Sequence, residues 1–150
     1  MDAERKKKYV VYDLEHNLVK IGTREECAEY MRMSLTTFAE HVRKLRNGGI
    51  KNGKRYNAYA LEYDTNRYFR VTKDVLAYKK INDNWRRLVK IPKGKIYVYD
   101  PFHNRRGKII KLATKVVQVS EETRRYYNEI QMTHEEFEKY FEEIKKKQFR

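Results

Sequence analysis

Several features that define other classes of protein are scarce or missing in this 150-residue sequence. Its single cysteine, Cys27, excludes an internal disulfide and fits a reducing cytoplasm. No segment approaches about 18 uninterrupted apolar residues, and no signal peptide opens the chain, so neither a membrane span nor secretion is expected. Acidic residues are also in the minority, since 21 of them face 35 Lys and Arg residues.

Catalytic and metal-binding constellations are missing as well. Cys27 and His41 would face each other between two expected helices, but two ligands do not make a zinc site, and core packing accounts for them better. His16, His103 and His134 have no partners at a useful spacing, and there is no glycine-rich phosphate loop. The sequence therefore predicts a protein that is not an enzyme and that has no metal and no cofactor.

What the sequence does have is positive charge. The net charge is +14, which favours a polyanionic partner, with nucleic acid ahead of a membrane surface. A hydrophobic content of 40% is enough for a core, while 37% charged residues require a large surface. The length suits one ordinary domain or two small ones.

The sharpest pattern lies between Thr23 and Arg46 and predicts two short helices joined by a tight turn. Thr23 can cap the first helix with Glu26 as its capping-box partner, and Ser34 can cap the second. Small and apolar residues recur on the inward side of both helices: Ala28, Met31, Met33, Phe38 and Leu45. This is helix-turn-helix spacing. The alternative is an αα-corner that only packs.

The motif A-x-x-apolar-x-apolar-S-x-x-T-apolar resembles that of DNA-binding helix-turn-helix proteins. The residues that carry it are Ala28, Met31, Met33, Ser34, Thr37 and Phe38. With the preceding YVVYDLEHNLVKIGT, residues 8–46 also resemble hairpin-plus-helix modules of bacteriophage proteins and the DNA-binding segments attached to phage homing endonucleases. The usual corner glycine is replaced by Arg32, which departs from the pattern. The resemblance implies a phage or mobile-element regulator or accessory factor in the cytoplasm of a bacterial host cell.

Strands are predicted on both sides of this pattern. Residues 9–21 read as a hairpin that turns near His16 and Asn17. After the second helix, Gly48 stops the helix, and Asn52-Gly53 predicts a second hairpin, a basic wing whose strand runs over residues 54–63. Six Lys or Arg residues and no acid lie between His41 and Leu61.

A third helix is predicted over residues 73–90. Its apolar positions, Val75, Tyr78, Ile81, Trp85 and Leu88, recur every three or four residues. On this stripe Trp85 is interpreted as a core anchor rather than a base-stacking platform. The segment from Ile91 to Gly94 ends the helix and is the best candidate for an internal boundary.

The chain beyond this boundary echoes its own beginning. The segment YVYD at 97–100 follows the pattern of residues 9–13, and His103-Asn104 and Ser120 occupy the positions of His16-Asn17 and Ser34. This is either a degraded second copy of the module over about residues 95–131 or a chance similarity of two strands. A last amphipathic helix, capped by Thr133, is predicted over residues 133–147. Its apolar face must cover the second module or a partner subunit in a homodimer.

The predicted fold is therefore α+β: a β-hairpin plus helix-turn-helix module with a basic wing-like hairpin, a central helix and a second related hairpin-plus-helices module. The predicted domains are residues 1–71, 72–94 and 95–150. The predicted function is sequence-specific binding of double-stranded DNA, with the second helix in the major groove. The expected DNA-binding residues are Ser34, Thr36, Thr37, Glu40, Arg43, Lys44, Arg46, Lys51, Lys54, Arg55, Arg105, Arg106 and Lys108.

Two other functions are compatible with the same composition. One is a phage-encoded inhibitor, for example of the anti-CRISPR type, that acts on a host nucleoprotein or nuclease through its basic surface. The other is RNA binding, for which aromatic residues would stack on bases: Tyr56, Tyr59, Tyr63, Tyr68 and Phe69.

Overall fold

A computed structural model describes residues 8–61, 66–105 and 107–144 of the chain. The described residues fall into two compact units, unit 1 within residues 8–61 and unit 2 within residues 66–144. Strands make up 47% of the structure and helices 20%, so the protein is mostly β. The predicted α+β fold, a helix-turn-helix module followed by a related copy, is therefore wrong.

Unit 1 is a three-stranded antiparallel sheet with two helices inserted before its last strand. Its elements are β1 (Lys8–Asp13), β2 (Leu18–Thr23), α1 (Arg24–Tyr30), α2 (Leu35–Asn47) and β3 (Tyr56–Ala60). Strand β1 lies in the middle and pairs with both β2 and β3. The predicted hairpin over residues 9–21 is thus confirmed, with its turn at His16, whose φ is 68°.

The two predicted helices of unit 1 are also confirmed, together with their caps. Thr23 and Glu26 form a reciprocal capping box on α1, and the Ser34 hydroxyl accepts from the Thr37 backbone at the start of α2. Arg32 takes the left-handed conformation of the corner, with φ 58°, and Gly48 ends α2 with φ 78°.

The core of unit 1 lies between the helix pair and the sheet. Five buried residues from all of these layers form it: Val11, Cys27, Ala28, Phe38 and Ala58. The Phe38 ring meets the edge of the Tyr9 ring at a centroid distance of 5.3 Å. The predicted inward positions Ala28, Met31, Met33 and Phe38 are therefore right. Leu45 is only half-buried and lies outside this cluster.

The predicted wing does not form. Strand β3 pairs with β1, from Tyr9 opposite Ala60 to Asp13 opposite Tyr56, rather than with the residues just before it. Asn52 and Gly53 lie in an irregular loop, where the Asn57 side chain accepts from the Gly53 backbone. Gly53 is needed there because a Cβ would collide with the Tyr56 carbonyl oxygen and the His41 ring.

Unit 2 consists of antiparallel strands and one short helix. Its elements are β4 (Arg67–Val71), β5 (Val75–Asn82), β6 (Trp85–Ile91), β7 (Ile96–Tyr99), β8 (Ile109–Leu112), β9 (Lys115–Gln118), β10 (Arg124–Tyr127), β11 (Ile130–Thr133), α3 (His134–Tyr140) and β12 (Phe141–Ile144). Strand β4 pairs with β7 and β12. Strands β6, β5, β11 and β8 follow one another in a second sheet, and β9 pairs with β10.

The predicted central helix is a β-hairpin. Strands β5 and β6 pair from Val75 opposite Ile91 to Asn82 opposite Trp85, around a turn at Asp83 and Asn84. The inward residues alternate along each strand, as the pleat requires, and enter the core of unit 2: Val75, Ala77, Val89 and Ile91. Trp85 is 54% exposed, so its interpretation as a core anchor is wrong.

The predicted second copy over residues 95–131 shares only a turn with the first module. Asp100 accepts from the Phe102 backbone, just as Asp13 accepts from the Glu15 backbone. Asp13 is the last residue of β1, and Asp100 directly follows β7. Ser120, at the position of the helix cap Ser34, instead lies in the turn between β9 and β10. The segment after the echo therefore forms strands where the repeat predicted helices.

The last predicted helix is shorter than expected. Thr133 caps α3, as predicted, and forms a capping box with Glu136, but α3 ends at Tyr140 and Phe141 begins a strand. Residues 145–147 of the predicted helix lie outside the described residues. Phe137 and Phe141 pack into the core of unit 2, which covers the predicted apolar face. No helix among the described residues is long and apolar enough to cross a membrane. The predicted three-domain division stays a prediction.

Candidate nucleic-acid interface

Because Phe38 packs into the core of unit 1, the opposite side of α2 faces solvent. Thr36, Ala39, Glu40 and Arg43 are all exposed, and with Leu35 and Arg24 they line a shallow depression of about 380 Å³. Thr36, Glu40 and Arg43 are among the DNA-binding residues expected from the sequence. The amphipathic spacing of α2 therefore presents one continuous side of the helix to solvent.

Two of the predicted DNA-binding hydroxyls have a structural role. The Ser34 Oγ accepts from the Thr37 backbone at 3.1 Å and donates to the Thr37 Oγ1 at 2.9 Å. This arrangement satisfies a backbone donor at the start of α2, which a replacement by Ala would leave open. Both hydroxyls remain exposed, so a phosphate would have to share them with the cap.

Arg43 is paired with Glu40 on the same helix. Its Nη2 lies 2.8 Å and 3.1 Å from the two carboxylate oxygens, and both side chains are about half exposed. The hydrogen bond between them lowers the pKa of Glu40 and raises the pKa of Arg43, so both groups are charged. An exposed pair of this kind is weak and exchangeable. Arg43 can therefore change partner when a stronger acceptor is offered.

The end of α2 and the loop after it carry the other predicted cations of unit 1. All are exposed: Lys44, Arg46, Lys51, Lys54 and Arg55. The loop is fastened to β3 by the Asn57 side chain, which accepts from the Gly53 backbone at 2.7 Å and donates to the Asn52 side chain at 3.0 Å. Next to it, α2 is joined to β3 because the neutral His41 Nε2 accepts from the Ala58 backbone at 3.1 Å. Burial lowers the pKa of His41, which keeps this acceptor available. The loop thus presents its lysines and arginine from a fixed base.

A groove beside this loop was not foreseen from the sequence. It has a volume of about 830 Å³ and runs between the corner of the helix pair and residues 50–56. The Tyr30 and Tyr56 rings meet at its wall, with centroids 5.4 Å apart, and Arg32, Lys54 and Arg55 also line it. Its parts come from three separate segments, so no local pattern identifies it.

The predicted residues of the second hairpin belong to unit 2. Arg105 and Lys108 are exposed in the loop between β7 and β8, and the Arg105 guanidinium lies 4.4 Å from the centroid of the Phe102 ring. Arg106 lies outside the described residues. Arg105 and Lys108 thus lie on a different unit from the α2 residues, and the DNA-binding role of all three stays a prediction.

The stacking residues expected for RNA binding are not available as a set. Tyr68 and Phe69 are buried in unit 2, and Tyr56 and Tyr59 are partly buried in unit 1. Tyr63 lies outside the described residues. The exposed aromatic side chains of unit 2 are different ones, and they include Trp85, for which the sequence predicted a place in the core.

A buried polar cluster in unit 2 also went unrecognised. Asp100 accepts from Arg124 at 2.6 Å, from the Tyr126 hydroxyl at 2.7 Å and from the Phe102 backbone. Burial alone would raise the pKa of Asp100, but these hydrogen bonds outweigh it and hold the pKa below the ordinary value. The carboxylate is fully used by these partners, and it fastens the loop after β7 to strand β10.

The cysteine and histidine of unit 1 have separate partners. Cys27 donates its Sγ–H to the Tyr9 carbonyl at 3.7 Å, while His41 faces β3. Burial raises the pKa of Cys27 to about 11, so the thiol is protonated and a poor metal ligand. Among the residues that the structure describes, no group of three or more His, Cys, Asp or Glu is placed to hold a metal ion.

Comparison with known proteins gives no relative for this arrangement. No family model, no curated protein and no solved structure matches the chain. The resemblance of residues 8–46 to phage DNA-binding modules therefore stays a prediction, and the function has to be argued from the side chains themselves.

Proposed function

We propose that unit 1 binds double-stranded DNA through α2 and the loop after it. The observation that carries this proposal is the run of six Lys or Arg residues without an acid between His41 and Leu61. All six are exposed. Cations that neutralise phosphates release condensed counterions, which supplies most of the affinity of proteins for duplex DNA.

The exposed side of α2 is the part that would enter the major groove. An α-helix with its side chains is about 10–12 Å across, and the major groove is about 12 Å wide. Thr36 and Arg43 lie on the exposed side, and an arginine prefers the O6 and N7 atoms of guanine. To make that contact, Arg43 must give up its hydrogen bonds to Glu40.

The remaining cations would hold the DNA backbone. Lys44 and Arg46 lie in the last turn of α2, and Lys51, Lys54 and Arg55 follow in the loop. Phosphate contacts of this kind position a protein without selecting a sequence. The proposal thus divides the surface into one base-reading side chain, Arg43, and a set of backbone contacts.

The experiment measures the salt dependence of duplex binding. We compare wild type with K51A/K54A/R55A and with a charge-matched control, K73A/K93A/K139A, whose lysines are exposed in unit 2. If all three loop cations contact phosphate, the negative slope of log K against log salt should become less steep by about 2.7 in the loop variant. The control should keep the wild-type slope.

Two results would contradict the proposal. A loop variant with the slope of wild type would remove the loop from the interface. If wild type fails to bind duplex DNA even at low salt, the proposal is wrong, and an interaction with a host protein becomes the explanation of the basic surface of unit 1.

A further inference from the structure

The hairpin of β5 and β6 presents an exposed face that the proposed function does not use. We define this hairpin face by its outward residues, three on each strand: Leu76, Tyr78 and Lys80 on β5, and Arg86, Leu88 and Lys90 on β6. Tyr78 and Leu88 lie opposite each other and are 53% and 51% exposed. Trp85, at the end of the hairpin next to its turn, is 54% exposed.

Residues of this size are seldom exposed together without a partner. The other side of the same hairpin packs normally, with Val75, Ala77 and Ile91 buried in the core. The hairpin is therefore well anchored, and the exposure of Tyr78 and Trp85 does not come from a poorly packed segment. Something other than the core of unit 2 accounts for these aromatic residues.

The charges of the hairpin indicate what that partner is. Residues 75–91 contain five Lys or Arg residues and one acid, Asp83. Lys80 lies directly opposite Arg86, and Lys79 directly opposite Arg87. Like charges in directly opposed positions destabilise a strand pair. Asp83 offsets part of this through a 3.3 Å contact with Lys80, but an anionic ligand would relieve the rest.

Arg86 is held in position by a chain of buried polar groups. Its Nε donates to the Gln131 side chain at 2.6 Å, and Gln131 donates to Glu129 at 2.8 Å. Glu129 bonds the His103 ring at 2.9 Å, and that ring stacks on Tyr126 with centroids 3.9 Å apart. None of the residues that the structure describes accepts a hydrogen bond from the two Nη groups of Arg86. The guanidinium is thus oriented for an acceptor that approaches from outside.

We infer that the hairpin face binds single-stranded DNA. Unpaired bases stack on exposed aromatic rings, and a basic groove or surface holds the phosphates; this combination is how proteins bind single strands without sequence preference. Tyr78 supplies the ring on the hairpin face, and Arg86 and Lys80 supply the phosphate contacts. Trp85 is not part of this face, because alternation along β6 turns it to the side of Arg87, Val89 and Ile91. The choice of DNA over RNA rests on the proposed function of unit 1, whereas the choice of an unpaired strand rests on the hairpin alone.

The experiment uses full-length protein and fluorescein-labelled dT20, which cannot pair with itself. Tyr78→Ala should bind dT20 at least about fivefold more weakly, because each stacked base contributes appreciably to affinity. Tyr78→Phe keeps the ring and should bind within about threefold of wild type. Tyr78 is exposed, so circular dichroism should show an unchanged fold. Duplex binding should be unaffected in both variants.

A separate arm distinguishes this inference from the proposed function. K51A/K54A/R55A should lose duplex affinity and keep dT20 affinity, which is the opposite of Tyr78→Ala. If Tyr78→Ala binds dT20 as wild type does, the stacking surface is overturned while the duplex proposal stands. Tighter binding of rU20 than of dT20 would overturn the choice of DNA. Wild-type protein that fails to bind dT20 would overturn the inference and leave the hairpin face to a protein partner.

Discussion

Arg43 on α2 and Arg86 on the hairpin face are both held by a neighbouring side chain, but the two neighbours differ in their surroundings. Arg43 bonds Glu40, one turn earlier on the same exposed helix surface. Arg86 bonds Gln131, which is itself buried and fixed by Glu129. The first arginine is charge-compensated and free to exchange partners. The second is oriented by an uncharged amide and keeps its charge for a ligand.

The two arginines show two ways in which a basic side chain can be arranged before it binds an anion. An exposed ion pair contributes little to stability and is screened by salt, so Arg43 can move to a guanine at small cost. A guanidinium fixed by buried groups has less freedom to lose on binding, so its contact is pre-organised. Substitutions beneath the helix and beneath the hairpin should therefore have larger effects than substitutions in the exposed pair.

The largest effect should come from Phe38→Ala. The Phe38 side chain is fully buried between the helix pair and β1, and its loss leaves a cavity that the helices cannot fill. We expect the free energy of unfolding to fall by about 3–5 kcal/mol. Chemical denaturation followed by circular dichroism measures it, and Phe38→Leu, which keeps most of the volume, is the control.

The same variant sharpens the comparison of the two surfaces. Duplex binding should weaken in Phe38→Ala because α2 loses its support, while dT20 binding by the hairpin face should persist. Equal losses on both ligands would mean that the two surfaces do not act separately. An unfolding free energy within about 1 kcal/mol of wild type would contradict the packing of α2 described above.

The next largest effect should come from Asp100→Asn. This change removes the charge that Arg124 and Tyr126 bond, and Arg124 is only partly able to reach water, with 28% of its side chain exposed. We expect a loss of about 2–3 kcal/mol, the usual contribution of hydrogen bonds to a charged group. Because Tyr126 stacks on His103, which bonds Glu129, dT20 binding should also weaken, whereas duplex binding should not.

Asp100 also predicts how the stability of unit 2 depends on pH. Its pKa is lowered in the folded protein despite its burial, and the pKa of Glu129 is lowered in the same way by His103 and Gln131. A lowered pKa gives stability that is present above the unfolded value, about 4, and is lost as the pH falls through the folded value. As the pH falls below about 4, the free energy of unfolding should thus decrease more steeply for wild type than for Asp100→Asn. Denaturation at a series of pH values measures this, and an equal dependence on pH in the two proteins would contradict the assignment.

The elements that the sequence predicted correctly are those with local determinants. Thr23, Ser34 and Thr133 cap helices because a side-chain oxygen reaches a backbone donor only three residues away. Gly48 ends α2 for an equally local reason, its left-handed conformation. Each of these interactions is complete within one turn, so a short pattern specifies it.

The elements that it missed depend on distant partners or on an ambiguous period. Val75, Tyr78, Ile81, Trp85 and Leu88 fit a helical stripe, yet the core residues alternate along two strands joined by a two-residue turn. The helical spacing combined residues from both sides of that turn, which belong to two different strands and therefore do not share one face. The pairing of β3 with β1 likewise depends on contacts more than 40 residues apart in the chain.

In the candidate site, too, the features with local determinants could be predicted and those that depend on distant partners could not. The exposed cations of α2 and its loop were predictable because charge runs and helix faces are local features. The pairing of Arg43 with Glu40 is also local, since residues three apart are neighbours on a helix surface. Arg86 was not predictable, since its orientation depends on Gln131, Glu129 and His103 from other elements.

A smaller effect is expected from Arg43→Ala. If Arg43 contacts guanine through two hydrogen bonds, affinity for a selected duplex should fall about 10- to 100-fold, with a much smaller loss on random duplex. Anisotropy titrations with both duplexes measure the two losses, and Lys44→Ala is the matched control for charge. Equal losses on the two duplexes would make α2 a backbone anchor, and no loss on either would remove α2 from the interface.

The smallest effect, and the one with the opposite sign, should come from Glu40→Gln. This substitution keeps the shape of the side chain but removes the charge that holds Arg43 and repels phosphate. Stability should barely change, because the pair is exposed on the surface of α2. Affinity for duplex DNA should rise about two- to fivefold at low salt, and the gain should shrink as salt increases, since the Debye length falls to about 8 Å near physiological ionic strength.

The double variant E40Q/R43A separates the two causes. A gain that survives without Arg43 comes from reduced repulsion, whereas a gain that disappears comes from the release of Arg43. If Glu40→Gln weakens duplex binding instead, then Glu40 itself accepts a hydrogen bond from the DNA, as a carboxylate can from the amino group of cytosine, and the proposed division of the α2 surface is wrong.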